Sequence, residues 1–217
     1  MRIAVVEDHR FVADLLAGEL RSMGHDASAV GPEGVDGVLA DPPDLVVLDL
    51  QLAGLDGTEL VAPLVRRGAS VIVLSGTPDV TARARCVEAG ALAVLDKASG
   101  LDRVVEALRR AVAGETPQSP AERATILDSA REARRGRSEA LKPFAELTAR
   151  EQQVLAALVA GLAVADVARE LYLSVETVRS YVKSLLRKLG VGSQLAAVAL
   201  ANDAGWVPAT RRDMATG

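Results

Sequence analysis

Short, unbroken apolar runs frame this chain: residues 3–6, 45–48, 71–74 and 91–95, with a weaker run near 27–30. A strand with one wet face alternates apolar and polar residues. Unbroken runs rich in Val, Ile and Leu read instead as strands buried on both faces. Helical patterns follow them over 12–23, 33–39, 58–65, 80–89 and 101–112. Strands alternating with helices predict a parallel α/β sheet covered on both sides.

The polar residues that end these runs carry the chemistry. Glu7 and Asp8 follow the first strand, Asp49 the third, Ser75 the fourth and Lys97 the fifth. In an open α/β sheet, ligands bind beyond the carboxyl ends of the strands, so these residues are expected to share one crevice. Each alone has a plainer reading: a strand-end Asp is commonly a turn or cap residue, and Glu7-Asp8 alone could be a solvated pair. The joint pattern is more specific. Clustered carboxylates repel and call for a cation, and an all-oxygen set favours Mg²⁺. An aspartate can act as a nucleophile and form an acyl phosphate. A hydroxyl and a lysine beside it would neutralise phosphoryl oxygens.

Residues 1–113 resemble the receiver domain of two-component response regulators. The resemblance rests on Glu7-Asp8, on Asp49-Leu-Gln-Leu-Ala-Gly-Leu-Asp-Gly57, on Ser75-Gly76 and on Lys97. It implies a flavodoxin-like doubly wound sheet of five parallel strands in the order 2-1-3-4-5. It implies Asp49 as phosphoacceptor, with Ser75 and Lys97 stabilising the phosphoryl group. Mg²⁺ would be held by Asp8, Asp49 and the backbone carbonyl of Gln51, with Glu7 acting mainly through water. The chain departs from the family pattern at Ala53 and Ala98, where Pro is common. It departs at Val94, where the family places a Tyr or Phe that rotates as the switch is thrown. The phosphoryl-capturing residues are intact, but the usual aromatic readout of Ser75 cannot operate in its usual form.

Residues 114–146 are punctuated by Gly114, Pro117, Pro120, Gly136 and Pro143. Ser119-Pro120-Ala121-Glu122 reads as a helix start, with Ser as cap, Pro in the first position and Glu completing a capping box. The segment is expected as a partly helical tether with a solvated basic end. The competing reading packs this helix between domains or against a second subunit.

Beyond residue 147 a second unit begins. Thr148-Ala-Arg-Glu151 is a capping box opening a helix to about residue 160, ended by Gly161. A short helix spans 164–171. Ser174 caps a third over 175–189, and a fourth spans 194–204. On the third, Val178, Val182, Leu185, Leu186 and Leu189 form an apolar stripe, while Arg179, Lys183 and Arg187 recur every four residues on another face. The pattern fits a helix-turn-helix with a basic recognition helix, and equally an amphipathic helix with a solvated side. The whole run, from Leu147-Thr-Ala-Arg-Glu through Leu173-Ser174 and Thr177-Val178 to Leu186-Arg-Lys-Leu-Gly190, resembles the LuxR-type four-helix DNA-binding domain. Joined to a receiver, this is the NarL/FixJ class. The resemblance implies Arg179, Ser180 and Lys183 facing bases or nearby phosphates. It places Thr177, Arg187 and Lys188 near the DNA backbone, and Ala196, Ala197 and Leu200 at a dimer contact. Ala163 and Val164-Ala165 depart from it, removing a cap and a polar pair at the start of the second helix. Residues 147–207 are assigned to this domain and 208–217 to a disordered tail.

Composition bounds the rest. Residues 1–113 hold 11 basic and 17 acidic side chains, net −6; residues 114–217 hold 14 and 12, net +2. An acidic half beside a mildly basic one implies two tasks. The single cysteine, Cys86, excludes an internal disulfide and suits a reducing cytoplasm. No signal peptide or membrane span is legible, and no substrate pocket of a metabolic enzyme. The expectation is a cytoplasmic transcriptional regulator, not an enzyme. A sensor histidine kinase would phosphorylate it at Asp49, and it would bind double-stranded promoter DNA as a homodimer. The alternatives are a DNA-binding regulator independent of phosphorylation and a protein-interaction module without DNA output.

Overall fold

The apolar runs become the strands β1 (Arg2–Val6), β2 (Asp26–Val30), β3 (Leu45–Asp49), β4 (Ser70–Ser75) and β5 (Ala93–Asp96) of one sheet in a computed structural model, which describes residues 1–208. Every pairing is parallel and the order is 2-1-3-4-5, as the resemblance implies. Residues 209–217, most of the expected disordered tail, lie outside the described residues. By contacts the chain divides into two compact units, one of residues 1–133 and one beginning at Arg134.

In the first unit, α1 (Arg10–Ser22), α2 (Val35–Ala40), α3 (Thr58–Arg66), α4 (Val80–Glu88) and α5 (Leu101–Val112) cover the sheet. Its residues divide by parity. Ala4, Val6, Val46, Leu48, Val71, Val73 and Val94 face one apolar core; Ile3, Val5, Leu45, Val47, Ile72, Leu74 and Ala93 face another. This explains the unbroken runs, since both parities are buried. Each such Val, Leu or Ile side chain contributes about 1.5–3 kcal/mol on leaving water. The register sets Val6 beside Leu48, Asp49 beside Leu74 and Ser75 beside Asp96, so the strands end nearly level. Two helices shift from expectation: α1 opens at Arg10, and a 3₁₀ turn at Pro32–Gly34 delays α2 to Val35.

The segment expected as a tether is largely one helix, α6 (Pro120–Ala145). The Ser119–Glu122 capping box forms: the Ser119 N–H and hydroxyl donate to Glu122 Oε2, and the Glu122 N–H returns to Ser119 Oγ. The first half of α6 is not solvated all round. Ile126 and Ala130 are buried in the core that holds Val94.

Among its described residues, the second unit is helical: the end of α6 is followed by α7 (Ala149–Val159), α8 (Val164–Glu170), α9 (Val175–Leu189) and α10 (Gln194–Asp203). Its core joins Val154, Leu155, Val167, Val178, Val182, Leu185 and Ala197 to Phe144. The capping box at Thr148 is complete, Ser174 caps α9 through the Thr177 N–H, and Gly190 ends it at φ +68°, a conformation that suits glycine. Ala163 leaves α8 without a side-chain cap, a loss of about 1 kcal/mol.

Candidate functional site

Parallel topology delivers Glu7, Asp8, Asp49, Ser75 and Lys97 to the carboxyl edge of the sheet. Lys97 is the hub: its Nζ lies 2.6 Å from Glu7 Oε2 and 2.9 Å from Asp49 Oδ2. Both acids are buried, with side chains 1% exposed. Burial alone would pull the Lys97 ammonium down; its bonds to Glu7 and Asp49 outweigh that and raise it. Asp49 Oδ1 accepts the Gln51 N–H at 3.1 Å. Gly57 closes the loop behind it, donating to Leu50 O. A Cβ at Gly57 would lie 2.5 Å from the Asp49 carbonyl, so a side chain there would displace the acid. Ser75 is fully buried, and its hydroxyl makes only a long 3.4 Å bond to Thr77 O. It is free to take a better acceptor.

Glu7, Asp8, His9 and Asp49 offer ligand atoms all within 4.8 Å of one another. Asp8 Oδ1 is buried without a hydrogen-bond partner, although His9 Nδ1 stands 2.7 Å away. His9 is drawn toward its charged form by its bond to Glu7 and the charge of Asp8. Three clustered carboxylates, only partly offset by Lys97 and His9, around an orphaned Asp8 oxygen are what a divalent cation would satisfy. The residues therefore fit Mg²⁺.

On the second unit, α9 turns Val178, Val182, Leu185 and Leu189 inward and leaves Arg179, Ser180, Lys183 and Arg187 exposed on its outer side. Thr177 is half-buried, its hydroxyl 2.8 Å from Ser174 Oγ. Between α8 and α9, Tyr172 adopts φ +55° and is 95% exposed. Two residues expected at contacts are engaged within the unit. Lys188 is held inside the unit, bonded to Glu151 Oε2 at 2.6 Å and to Glu146 O at 3.0 Å. It serves as a counter-ion inside the unit and keeps about a quarter of its side chain exposed. Ala197 is fully buried in the unit's own core, so it cannot touch a second subunit. Ala196 and Leu200 are half-buried on α10, and Leu195 is 80% exposed.

Sequence reasoning also missed Gln118, whose side chain is buried against β5. A Gln bracketed by Pro117 and Ser119-Pro120, off any helix, was its only signal. Glu151 was read as a cap alone; its partner Lys188, 37 residues on, left no local trace.

The model of the response regulator receiver domain matches residues 3–109, and that of the bacterial regulatory proteins of the luxR family matches residues 145–201. FixJ of Azorhizobium caulinodans is 32% identical, over 95% of this chain and 94% of its own. The nitrate/nitrite response regulator homolog of Haemophilus influenzae is 31% identical, over 78% and 79%. BvgA of Bordetella pertussis, a putative positive transcription regulator of virulence factors, is 30% identical over 92% and 96%. A receiver sheet with its acidic edge, a four-helix unit and relatives aligned along both place this chain in a family: it belongs to the response regulators that join a receiver domain to a LuxR-type DNA-binding domain.

Proposed function

We propose that this protein is a cytoplasmic transcriptional regulator whose DNA binding is switched by phosphorylation of Asp49. The observation that carries it is the Lys97 ammonium held between the buried carboxylates of Asp49 and Glu7, with the underused Ser75 hydroxyl at the same edge. The phosphodonor is the phosphohistidine of a sensor kinase. An Asp49 carboxylate oxygen bonds phosphorus as the phosphorus–nitrogen bond breaks, and the leaving imidazole takes up a proton. Lys97 and Ser75 then hydrogen-bond the phosphoryl oxygens. Asp8, Asp49, the Gln51 carbonyl and Glu7 would hold Mg²⁺, which would supply positive charge to neutralise those oxygens. This is one modification of the chain itself, not turnover of an external substrate.

The output is double-stranded promoter DNA. Arg179, Ser180 and Lys183 reach base edges or nearby phosphates, while Thr177 and Arg187 sit near the backbone. Ala196 and Leu200, with the exposed Leu195, form the α10 face on which a second copy pairs. Incubation with a small phosphodonor and Mg²⁺ should add one phosphoryl group to the wild type and none to Asp49→Asn, and should raise DNA affinity only in the wild type. No mass gain, even with kinase, would sink the switch. Equal DNA binding by both proteins would favour a phosphorylation-independent regulator, the reading that Val94 motivates.

A further inference from the structure

The sheet ends at β5, and its open edge is not left to water. Val94 directs both its backbone groups outward, and one side chain takes both: the Val94 N–H donates to Gln118 Oε1 at 3.1 Å, and Gln118 Nε2 donates to Val94 O at 2.9 Å. A Gln amide carries the donor and acceptor of a peptide group, so Gln118 acts as a one-residue strand. It is 5% exposed, so these bonds form away from water. The contact is braced on both sides. Arg123 donates to Ala91 O and Leu92 O, Arg103 pairs with Glu122, and Ile126 and Ala130 enter the core beside Val94. The start of α6 is thereby fastened to β5 at the residue where the resemblance expects a switch aromatic.

The same strand leads to the acidic site. Ser75 pairs in register with Asp96, and Lys97 follows it. A pull on Ser75 and Lys97 toward a phosphoryl group on Asp49 therefore acts on the backbone of β5. The Val94 side chain is a poor relay by rotation: it is buried, small and restricted at χ1 by its β-branch. Its backbone can relay the pull.

We propose that Gln118 is the positioning residue that reads the phosphorylation state of this receiver: its paired bonds to Val94 hold the start of α6 while Asp49 is unmodified and are released when Ser75 and Lys97 close on the phosphoryl group. This rests on Asp49 as phosphoacceptor. Beyond Gln118, α6 runs from Pro120 to Ala145, and its last turns place Leu141 and Phe144 in the core of the DNA-binding unit. Release at Gln118 thus acts on the segment that carries the output domain.

The test uses the full-length protein. Amide hydrogen exchange of wild type, with and without small phosphodonor and Mg²⁺, is read at Val94 and over residues 118–130. Phosphorylation should speed exchange there at least tenfold. Gln118→Glu, which places a carboxylate against the Val94 carbonyl, and the neutral Gln118→Met should exchange fast without phosphodonor. They should also bind DNA within about threefold of phosphorylated wild type, while still gaining one phosphoryl group. A merely structural Gln118 would lower the melting temperature yet leave the ratio of DNA affinities with and without phosphodonor at the wild-type value; that result would overturn the proposal. So would unchanged protection at Val94 in phosphorylated wild type, a measurement that needs no variant. Failure of wild type to gain a phosphoryl group would instead overturn the reading of Asp49, and this inference with it.

Discussion

Glu151→Gln should destabilise the DNA-binding unit in a manner that depends on pH. Glu151 Oε2 accepts from Lys188 Nζ at 2.6 Å, from the Thr148 N–H at 2.7 Å and from the Thr148 hydroxyl at 2.9 Å, and the side chain is 4% exposed. Burial alone would raise this carboxyl; Lys188, Ser184 and Thr148 outweigh it and bring it from 4.5 to about 2. At about 1.4 kcal/mol per pKa unit, the ionised form contributes about 3 kcal/mol. The folded value lies below the unfolded one. The contribution is therefore complete above about pH 5 and is lost as pH falls toward 2. Gln keeps the shape and an acceptor for the Thr148 N–H but loses the charge. The expected gap between wild type and Glu151→Gln is about 3 kcal/mol at pH 7, closing toward zero near pH 2. Urea unfolding followed by Trp206 fluorescence reads this unit, because the chain's one tryptophan stacks on Phe144 at 5.5 Å within it. A gap that stays constant across the acid range would refute the ion pair as its source.

Three further outcomes follow from the same geometry. Lys97→Met strips the counter-charge from two buried carboxylates and should cost about 3 kcal/mol by circular dichroism melts, part of it recovered on adding Mg²⁺ and lost again with chelator. Arg179→Ala should weaken DNA binding by about 1–3 kcal/mol, or lower the slope of log affinity against log salt by about 1, whereas Lys188→Met should lower stability and leave that slope unchanged. Leu195→Asp should leave the melting temperature intact and weaken binding to a two-half-site DNA more than to a single half-site; equal losses on both would remove α10 as the pairing face.

The sheet was legible because a strand buried on both faces writes itself as an unbroken apolar run, and a parallel topology sends every run's last residue to one edge. Asp49, Ser75 and Lys97 could be joined on that rule alone. What stayed hidden depends on contacts that no periodicity encodes. Gln118 meets Val94 across 24 residues, and Glu151 meets Lys188 across 37. The inward place of Ala197 was hidden for a different reason. The sequence of α10, Gln-Leu-Ala-Ala-Val-Ala-Leu-Ala-Asn-Asp, is apolar nearly all round. A pattern without a polar face cannot say which Ala points inward. On α9, where Arg179, Lys183 and Arg187 mark the wet side, Val178, Val182, Leu185 and Leu189 lie inward as expected.

The aromatic inventory explains why a polar contact occupies the switch position. Aromatic residues make up 2% of the chain, and of the five only Phe11 precedes residue 134; it is 80% exposed on α1. The receiver core is thus free of aromatic side chains. A site built of Val, Leu and Ala offers no large planar side chain with two distinct resting places. Rotating Val94 would change little volume, and close packing around it resists even that. A backbone hydrogen bond is directional and is lost over a few tenths of an ångström beyond its usual range. Paired bonds at Val94 therefore respond to a small shift of β5 to which an aliphatic core would be blind. The remaining aromatics, Phe144, Tyr172, Tyr181 and Trp206, all lie in the DNA-binding unit. Any change in tyrosine or tryptophan signal on phosphorylation at Asp49 then arises in the output domain, not at the site of modification.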